Sequence, residues 1–512
     1  MKRIISTLFF ITLLCLLLCF TSCVGQPPQE RPDLPNCESQ GGQHTYTAWE
    51  ASPKASCKGD GEEARICTVC YHRQTRVTSV GGRHNFSTDN VCLDCDYQLA
   101  PTYAYLNFSH RADDTCTVTL KDNCAGQDVV IPAYHDGDPV IKFSTDGTLF
   151  SYNSIYLPPT VTTLDIEYVR SESFEEYGGC LYLGDWLVGV SDKSVKTVTL
   201  KPSTIGIANN AFADCTELQS ITLPNGLLYI KDGAFRNCAA LRSVSLPDSV
   251  IALGYSVFYQ CTSLEEVSIN HRVTGLGMQL FNSCTNLKSF TIPEGITTIG
   301  DRIFEKCEGL TSLHIPSTVT KIGNSIVSSR SGVTELTVDE NNPVYHSSGN
   351  CIIETATGRL ISGCRGSVIP DDGSVTAIGN SAFSGCIGLT EITIPASVTV
   401  IENQAFYVCE DLTTVHGGEG LLTIGEHAFD TCFSMTSFTL PDGLVSIGQE
   451  AFFRVPRWTP FIPASVERIG YSAFYVGGKI HCAAPEKPSG WAAFWSTSGT
   501  RHWGCDGTDL SE

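Results

Sequence analysis

The chain is 512 residues long, more than one ordinary domain needs. It is 42% hydrophobic against 17% charged, a balance that excludes a disordered chain and allows a large buried core. Its 33 basic and 54 acidic residues leave a net charge of −21, which repels phosphate backbones and anionic headgroups and so argues against nucleic acid or direct lipid binding as the main task.

In chain order, Lys2 and Arg3 precede an uncharged, largely apolar run from Ile4 to Phe20, then Thr21, Ser22 and Cys23. A basic start, a short apolar stretch and small residues before a cut site define an export signal. The run has 17 residues, at the low edge for a permanent span, so an uncleaved anchor stays open as the alternative. Phe20-Thr21-Ser22-Cys23 resembles the lipobox of bacterial lipoproteins, although Phe stands where Leu is usual. That resemblance implies lipidation at Cys23 and a lipoprotein-type signal over 1–23.

Residues 24–36 are Pro- and Gln-rich and read as a linker. Residues 37–98 form a Cys/His-rich, zinc-ribbon-like module with Cys37, His44, Cys57, Cys67, Cys70, His84, Cys92 and Cys95. Each C-x-x-C turn can present two thiolates to one metal, and tetrahedral zinc takes four N or S ligands. Two Cys3His groupings fit: His44 with Cys57, Cys67 and Cys70, and Cys37 with His84, Cys92 and Cys95. Structural zinc is the expected cofactor. Three disulfides among the six cysteines are the open alternative, which leaves the two recurrent histidines without a role.

Beyond the module a period of 23 takes over. Phe212, Phe235, Phe258, Phe281 and Phe304 are 23 residues apart, with Val327 next in register. The series resumes at Phe383, Phe406, Phe429 and Phe452 and ends at Phe474. Three residues after most of these stands a cysteine: Cys215, Cys238, Cys261, Cys284, Cys307, Cys386, Cys409 and Cys432. Within a unit, Phe290 and Ile292 alternate with Ser289 and Thr291, the period-2 pattern of a strand with one buried face. Pro293 ends the strand, and Gly300 is expected to turn the chain back. A unit this small cannot enclose a core, but stacked copies can, so the fold class is a mainly β repeat solenoid with a parallel sheet of short strands on one face. The phased cysteines read as small apolar fillers. Disulfides between coils are the other reading, but the first run has five members and all side chains would point the same way.

Leu-x-x-Ile-x-Ile-Pro followed by Ile-Gly-x-x-Ala-Phe-x-x-Cys resembles the BspA-type leucine-rich repeats of bacterial surface proteins. Ile315-Pro316-Ser317-Thr318-Val319, Ile378-Gly379-Asn380-Ser381-Ala382-Phe383 and Ile447-Gly448-Gln449-Glu450-Ala451-Phe452 carry the likeness. It implies an extracellular solenoid used in adhesion or recognition, and it brings no catalytic residue. Small His-plus-C-x-x-C modules also resemble domains found beside such repeats.

The remaining boundaries are a degenerate N-terminal repeat with an insertion at 99–200, repeats at 201–332 and 376–476, an insertion at 333–375, and a C-terminal cap at 477–512. Val129-Val130-Ile131-Pro132 matches the strand-and-proline phrase of a first coil. Gly179-Cys180-Leu181-Tyr182 and Trp186-Leu187-Val188 mark one hairpin excursion; Asn350-Cys351-Ile352-Ile353 and Leu360-Ile361-Ser362-Gly363-Cys364 mark another. Such excursions serve as spacers or as a binding face. Ile480-His481-Cys482 reads as the last strand, and Trp491, Trp495 and Trp503 as a cover for the core end or a sugar-binding cluster.

No short catalytic or phosphate-binding signature is present, and His135-Asp136-Gly137-Asp138 reads as a polar turn more readily than as a metal or acid/base cluster. The expectation is therefore a non-enzymatic, monomeric surface protein binding an extracellular protein or glycan. A structural envelope component and an accessory module holding substrate for a polymer-degrading system are the alternatives. The candidate ligand face is the set of strand positions flanking the buried residue: Ser289, Thr291, Ser312, His314, Glu391, Thr393, Thr414 and His416. Eleven coils at about 4.8 Å would carry such positions over about 50 Å.

Overall fold

A computed structural model describes residues 50–52, 61–66, 73–78, 106–120, 128–132, 134–144, 154–157, 160–165, 174–497 and 499–506. The chain divides into two compact units, Met1–Ala100 and Pro101–Glu512. In the first, strands β1 (Glu50–Ser52), β2 (Gly61–Ile66) and β3 (Arg73–Thr78) pair as an antiparallel meander. Cys23, Cys37, His44, Cys57, Cys67, Cys70, His84, Cys92 and Cys95 lie outside the described residues.

The second unit is a β-solenoid, about 15 turns in all, without a helix among the described residues. Its N-terminal section contains β4 (Leu106–His110), β5 (Cys116–Leu120), β6 (Asp128–Val130), β7 (Tyr134–His135), β8 (Asp138–Ser144), β9 (Ser154–Tyr156) and β10 (Thr163–Asp165). β5 pairs with β4 in antiparallel and with β8 in parallel; β8 also carries β10 in parallel and β7 in antiparallel. Cys116, Val118 and Leu120 alternate inward and meet Val140, Phe143 and Leu164 in a separate core.

Each regular coil hydrogen-bonds to its neighbours on three sides. The alternating phrase gives the first ladder, for example Ser243–Ser245 with Glu266–Ser268 and Glu391–Ile394 with Thr414–Gly417. A second parallel ladder, absent from the expected single sheet, runs through the residues before the recurrent glycine: Gly275–Leu276, Thr298–Ile299 and Lys321–Ile322. Two residues per rung are too few to show alternation. On the third side, the backbone N–H of each core phenylalanine donates to the next coil, as Phe235 to Val257 at 2.9 Å and Phe406 to Ala428 at 2.8 Å.

The phenylalanines form a stack through the interior, with ring centroids 5.3–5.8 Å apart from Phe212 to Phe304 and 5.0–5.3 Å apart from Phe383 to Phe474. Beside them the cysteines fill their slots as thiols. Cys261 donates to Phe235 O at 3.1 Å and Cys284 to Phe258 O at 3.1 Å, so each S–H occupies a carbonyl one coil back.

Three expectations need correction. Gly300 has no positive φ; it is glycine because a Cβ there would lie 2.5 Å from Met278 N in the preceding coil. The left-handed residues instead flank the phenylalanines from Phe212 to Phe452 and are often not glycine, as with Arg302 and Lys306 around Phe304. Ile480-His481-Cys482 is not the last strand, because Lys479–Cys482 pairs onward with Thr500–Trp503, whose sequence lacks an alternating apolar pattern.

The two segments that break the period are three-stranded antiparallel meanders, but they are not excursions. The first is β11 (Glu175–Tyr177), β12 (Cys180–Leu183) and β13 (Trp186–Val190). The second is Tyr345–Ser348, Cys351–Glu354 and Arg359–Ser362. The last strand of each is the first rung of the second ladder of the coils that follow. Their middle strands are buried on both faces, since successive side chains are apolar. Cys180 and Tyr182 join the core that follows, while Leu181 and Leu183 join the N-terminal core. Ile352 and Ile353 divide in the same way between the two repeat cores. Each meander is thus a partition shared by two cores.

Candidate functional site

The first ladder places the polar residues flanking each buried strand residue outward. Ser289, Thr291, Ser312, His314, Glu391, Thr393 and His416 are exposed, and Thr414 is half-buried. Register brings Thr393 beside His416 and Glu391 beside Thr414. Many of these groups satisfy one another along the solenoid: His314 Nδ1 lies 3.0 Å from Thr337 Oγ1, Ser268 donates to Ser245 at 3.1 Å, and His416 Nε2 lies 3.6 Å from Glu391 Oε2. The row is interrupted, however. Residues 289–292 form no strand, and Phe290 there is tilted between the rings of Phe281 and Phe304 at 4.8 and 5.5 Å.

The aromatic residues singled out by sequence are mostly inside. Trp186 is buried, stacked at 5.8 Å on Tyr229, and Tyr345 is buried with its hydroxyl accepting from Ile322 N at 3.2 Å. Trp491 and Trp495 are each 2% exposed and pack edge to face at 4.9 Å, closing the end of the second repeat core; Trp503 packs partly buried against them. None of the four buried rings can present a face to a ligand.

What the last coils do expose is a different set. Tyr471 is 53% exposed and Phe494 67%, their rings 6.3 Å apart, and Phe453 pairs with the exposed Tyr475 at 5.3 Å while the Arg454 guanidinium lies over Phe453 at 5.2 Å. Tyr471 occupies the slot after the glycine that Asp301, Asn380, Glu426 and Gln449 hold elsewhere. Comparing that slot coil by coil would have revealed it. Tyr255 and Met278 are exposed in the same slot of two adjacent earlier coils.

Among the described residues, two groups of histidines with carboxylates also stand out. His427 Nδ1 lies 3.0 Å from Asp430 Oδ2 and 3.5 Å from Glu450 Oε2. The polar turn at 136–137 is a hairpin turn as expected, and it brings His135 and Asp138 against His110.

A parallel β-solenoid whose coils repeat an inward Phe, Cys and Ile is the architecture of a leucine-rich repeat protein. The BspA type Leucine rich repeat region family matches residues 192–342 and 364–480, in six copies, and the chain belongs to that family. Among solved structures it is similar to a leucine rich cell surface protein from Faecalibacterium prausnitzii, with 24% identity, TM-score 0.45, and 80% of this chain and 96% of that one covered. A leucine-rich repeat protein from Bacteroides ovatus is 20% identical, with TM-score 0.40 and coverage of 80% and 100%. The pneumococcal vaccine antigen PcpA is 16% identical, with TM-score 0.40 and coverage of 80% and 87%. No curated protein matches the chain.

Proposed function

We propose that this is an exported surface protein that binds an extracellular protein or glycan through the exposed aromatic rings of its last coils. The observation that carries the reading is the Tyr471–Phe494 and Phe453–Tyr475 arrangement, three exposed rings and the half-buried Phe453 gathered in the last coils, where the other exposed rings of the repeats, Tyr255 and Phe433, have no aromatic partner of this kind. Aromatic side chains with a neighbouring arginine dominate contact energy in interfaces, and their faces suit sugar rings. The hydroxyl face of the first ladder is the second reading. It offers length, but its groups are largely satisfied by each other and it has no aromatic anchor.

The experiment is binding of the purified chain to a glycan array and to immobilised mucin and collagen. Tyr471→Ser with Phe494→Ser should weaken saturable binding at least tenfold, at unchanged melting temperature. Loss of binding instead in Thr291→Lys, His314→Lys, Thr393→Lys and His416→Lys together would transfer the site to the ladder face. Absence of binding with assembly into ordered arrays would make the protein an envelope component.

Attachment to the outer face of the membrane through a lipid on Cys23 belongs to the same proposal, supported by the apolar run that ends there. Cys23→Ala should release the protein into the medium or soluble fraction; a mutant that stays membrane-bound means the run is a permanent anchor.

A further inference from the structure

The start of the solenoid gathers side chains that no part of the repeat requires. β4 ends at His110 and β5 begins at Cys116, and these two residues are direct cross-strand partners. The β7–β8 hairpin reaches the same edge. Its turn residues Asp136 and Gly137 have φ of 52° and 95°, and this tight turn sets His135 opposite Asp138. β8 in turn pairs with β5 at Cys116 and Val140. Two turns from distant sequence therefore meet at one point.

There His110 Nε2 lies 3.0 Å from His135 Nδ1. Asp136 Oδ2 is 3.8 Å from His110 Nε2 and 3.6 Å from His135 Nδ1. The ligand atoms of His110, Cys116 and His135 all fall within 4.8 Å of one another. Ligands about 2.0–2.3 Å from a tetrahedral zinc are about 3.3–3.8 Å apart, so this set needs only small adjustments to share one centre.

The surroundings favour an ion over a plain hydrogen-bond network. Asp138 Oδ2 lies 2.6 Å from His110 Nδ1. A carboxylate there accepts a hydrogen bond from Nδ1–H and keeps the proton on Nδ1, which leaves the Nε2 lone pair facing His135, the tautomer a metal ligand needs. The His135 ring is held by stacking on Phe108, centroids 3.8 Å apart and planes 9° apart. Cys116 is fully buried, while Asp136 is exposed, so the thiolate end of the site is sheltered and the carboxylate end is open to entry.

We propose that His110, Cys116, His135 and Asp136 bind one zinc-class divalent ion, with Asp138 as the outer partner of His110. Two imidazoles, one thiolate and one carboxylate select a borderline-soft ion over calcium or magnesium. The ion cross-ties the two turns beside the first described strands of this unit, which come from distant parts of the sequence. None of these four ligands belongs to residues 37–98.

The test uses the full-length chain without its signal, in a background with Cys67, Cys70, Cys92 and Cys95 changed to Ser so that the module's C-x-x-C thiols cannot contribute. Elemental analysis after zinc loading and desalting should give one zinc per chain. His110→Asn with His135→Asn should remove that equivalent. Retention of zinc in the double variant overturns the proposal, as does a zinc-free parent. A variant that misfolds does not end the matter, because X-ray absorption on the zinc-loaded parent reads the ligands directly: one sulfur with three N/O neighbours is expected, and a shell without sulfur or with several sulfurs overturns the assignment.

Discussion

A regular coil and a meander solve different packing problems with the same apolar residue types. In the coil, a strand such as Glu266–Ser268 buries one residue and exposes two, and the buried residue meets its counterparts in the adjacent coils. In the meanders, Cys180–Leu183 and Cys351–Ile353 are buried throughout, and alternate residues serve different cores. Both meanders also carry a register shift at the same place, between Leu181 and Tyr182 and between Ile352 and Ile353. The coil extends a core, and the meander joins two. Cohesion along the whole solenoid therefore depends on the meanders more than on any single repeat.

The largest expected effect comes from breaking the second partition. Ile352→Ala with Ile353→Ala empties space on both sides of one strand. At about 2–5 kcal/mol per buried isoleucine, the pair should cost about 4–10 kcal/mol, less any coupling between neighbours. Phe281→Ala, in the middle of one core, should cost about 3–5 kcal/mol. Size is the lesser contrast. Denaturant unfolding of the meander variant should split into two transitions, one for each repeat core, while the Phe281 variant should lower stability without adding a transition. A single shared transition in the meander variant would mean that the coils couple past the partition without it.

The repeat was legible because stacking demands the same residue in the same slot: Phe212 to Phe304 and Cys215 to Cys307 are a physical column before they are a sequence pattern. The second ladder was not, since rungs such as Thr298–Ile299 are too short to alternate. The role of the meanders was half legible. Their hairpins follow from Gly179-Cys180 and Asn350-Cys351, but a run such as Cys351-Ile352-Ile353 does not say that each face meets a different core. Among candidate sites, Ser312, His314 and Thr393 were placed outward by simple alternation, and the structure keeps them there. Tryptophan content pointed to Trp491 and Trp495, which the end of the core absorbs, whereas Tyr471 needed a slot-by-slot comparison. The His110–Cys116–His135 grouping depends on two turns meeting through β5 and β8, a contact that local sequence does not encode.

The thiols sharpen the comparison at a smaller scale. Cys261 lies in a regular coil and its S–H donates to Phe235 O at 3.1 Å; Cys351 lies in a meander and its S–H faces Gly349 O at 3.6 Å. Burial pushes both thiols up from the usual value of 9.0 to about 12, in spite of these different partners. Because the folded value is the higher one, the stability each thiol contributes is fully present below about pH 9. It is lost as pH rises towards about 12, where the unfolded chain releases a proton that the folded chain keeps. At pH 10 the loss is about 1.4 kcal/mol per thiol. Urea denaturation under reducing conditions at pH 7.5 and pH 10 should therefore show the parent weakening, and Cys261→Ala and Cys351→Ala each weakening by about 1.4 kcal/mol less than the parent does. Equal flattening means that coil and meander are equally dry around their sulfurs. Flattening in Cys351→Ala alone would mean that the Cys261 thiol already titrates in the folded chain, that water reaches the cysteine column between coils, and that the partition is the drier of the two regions.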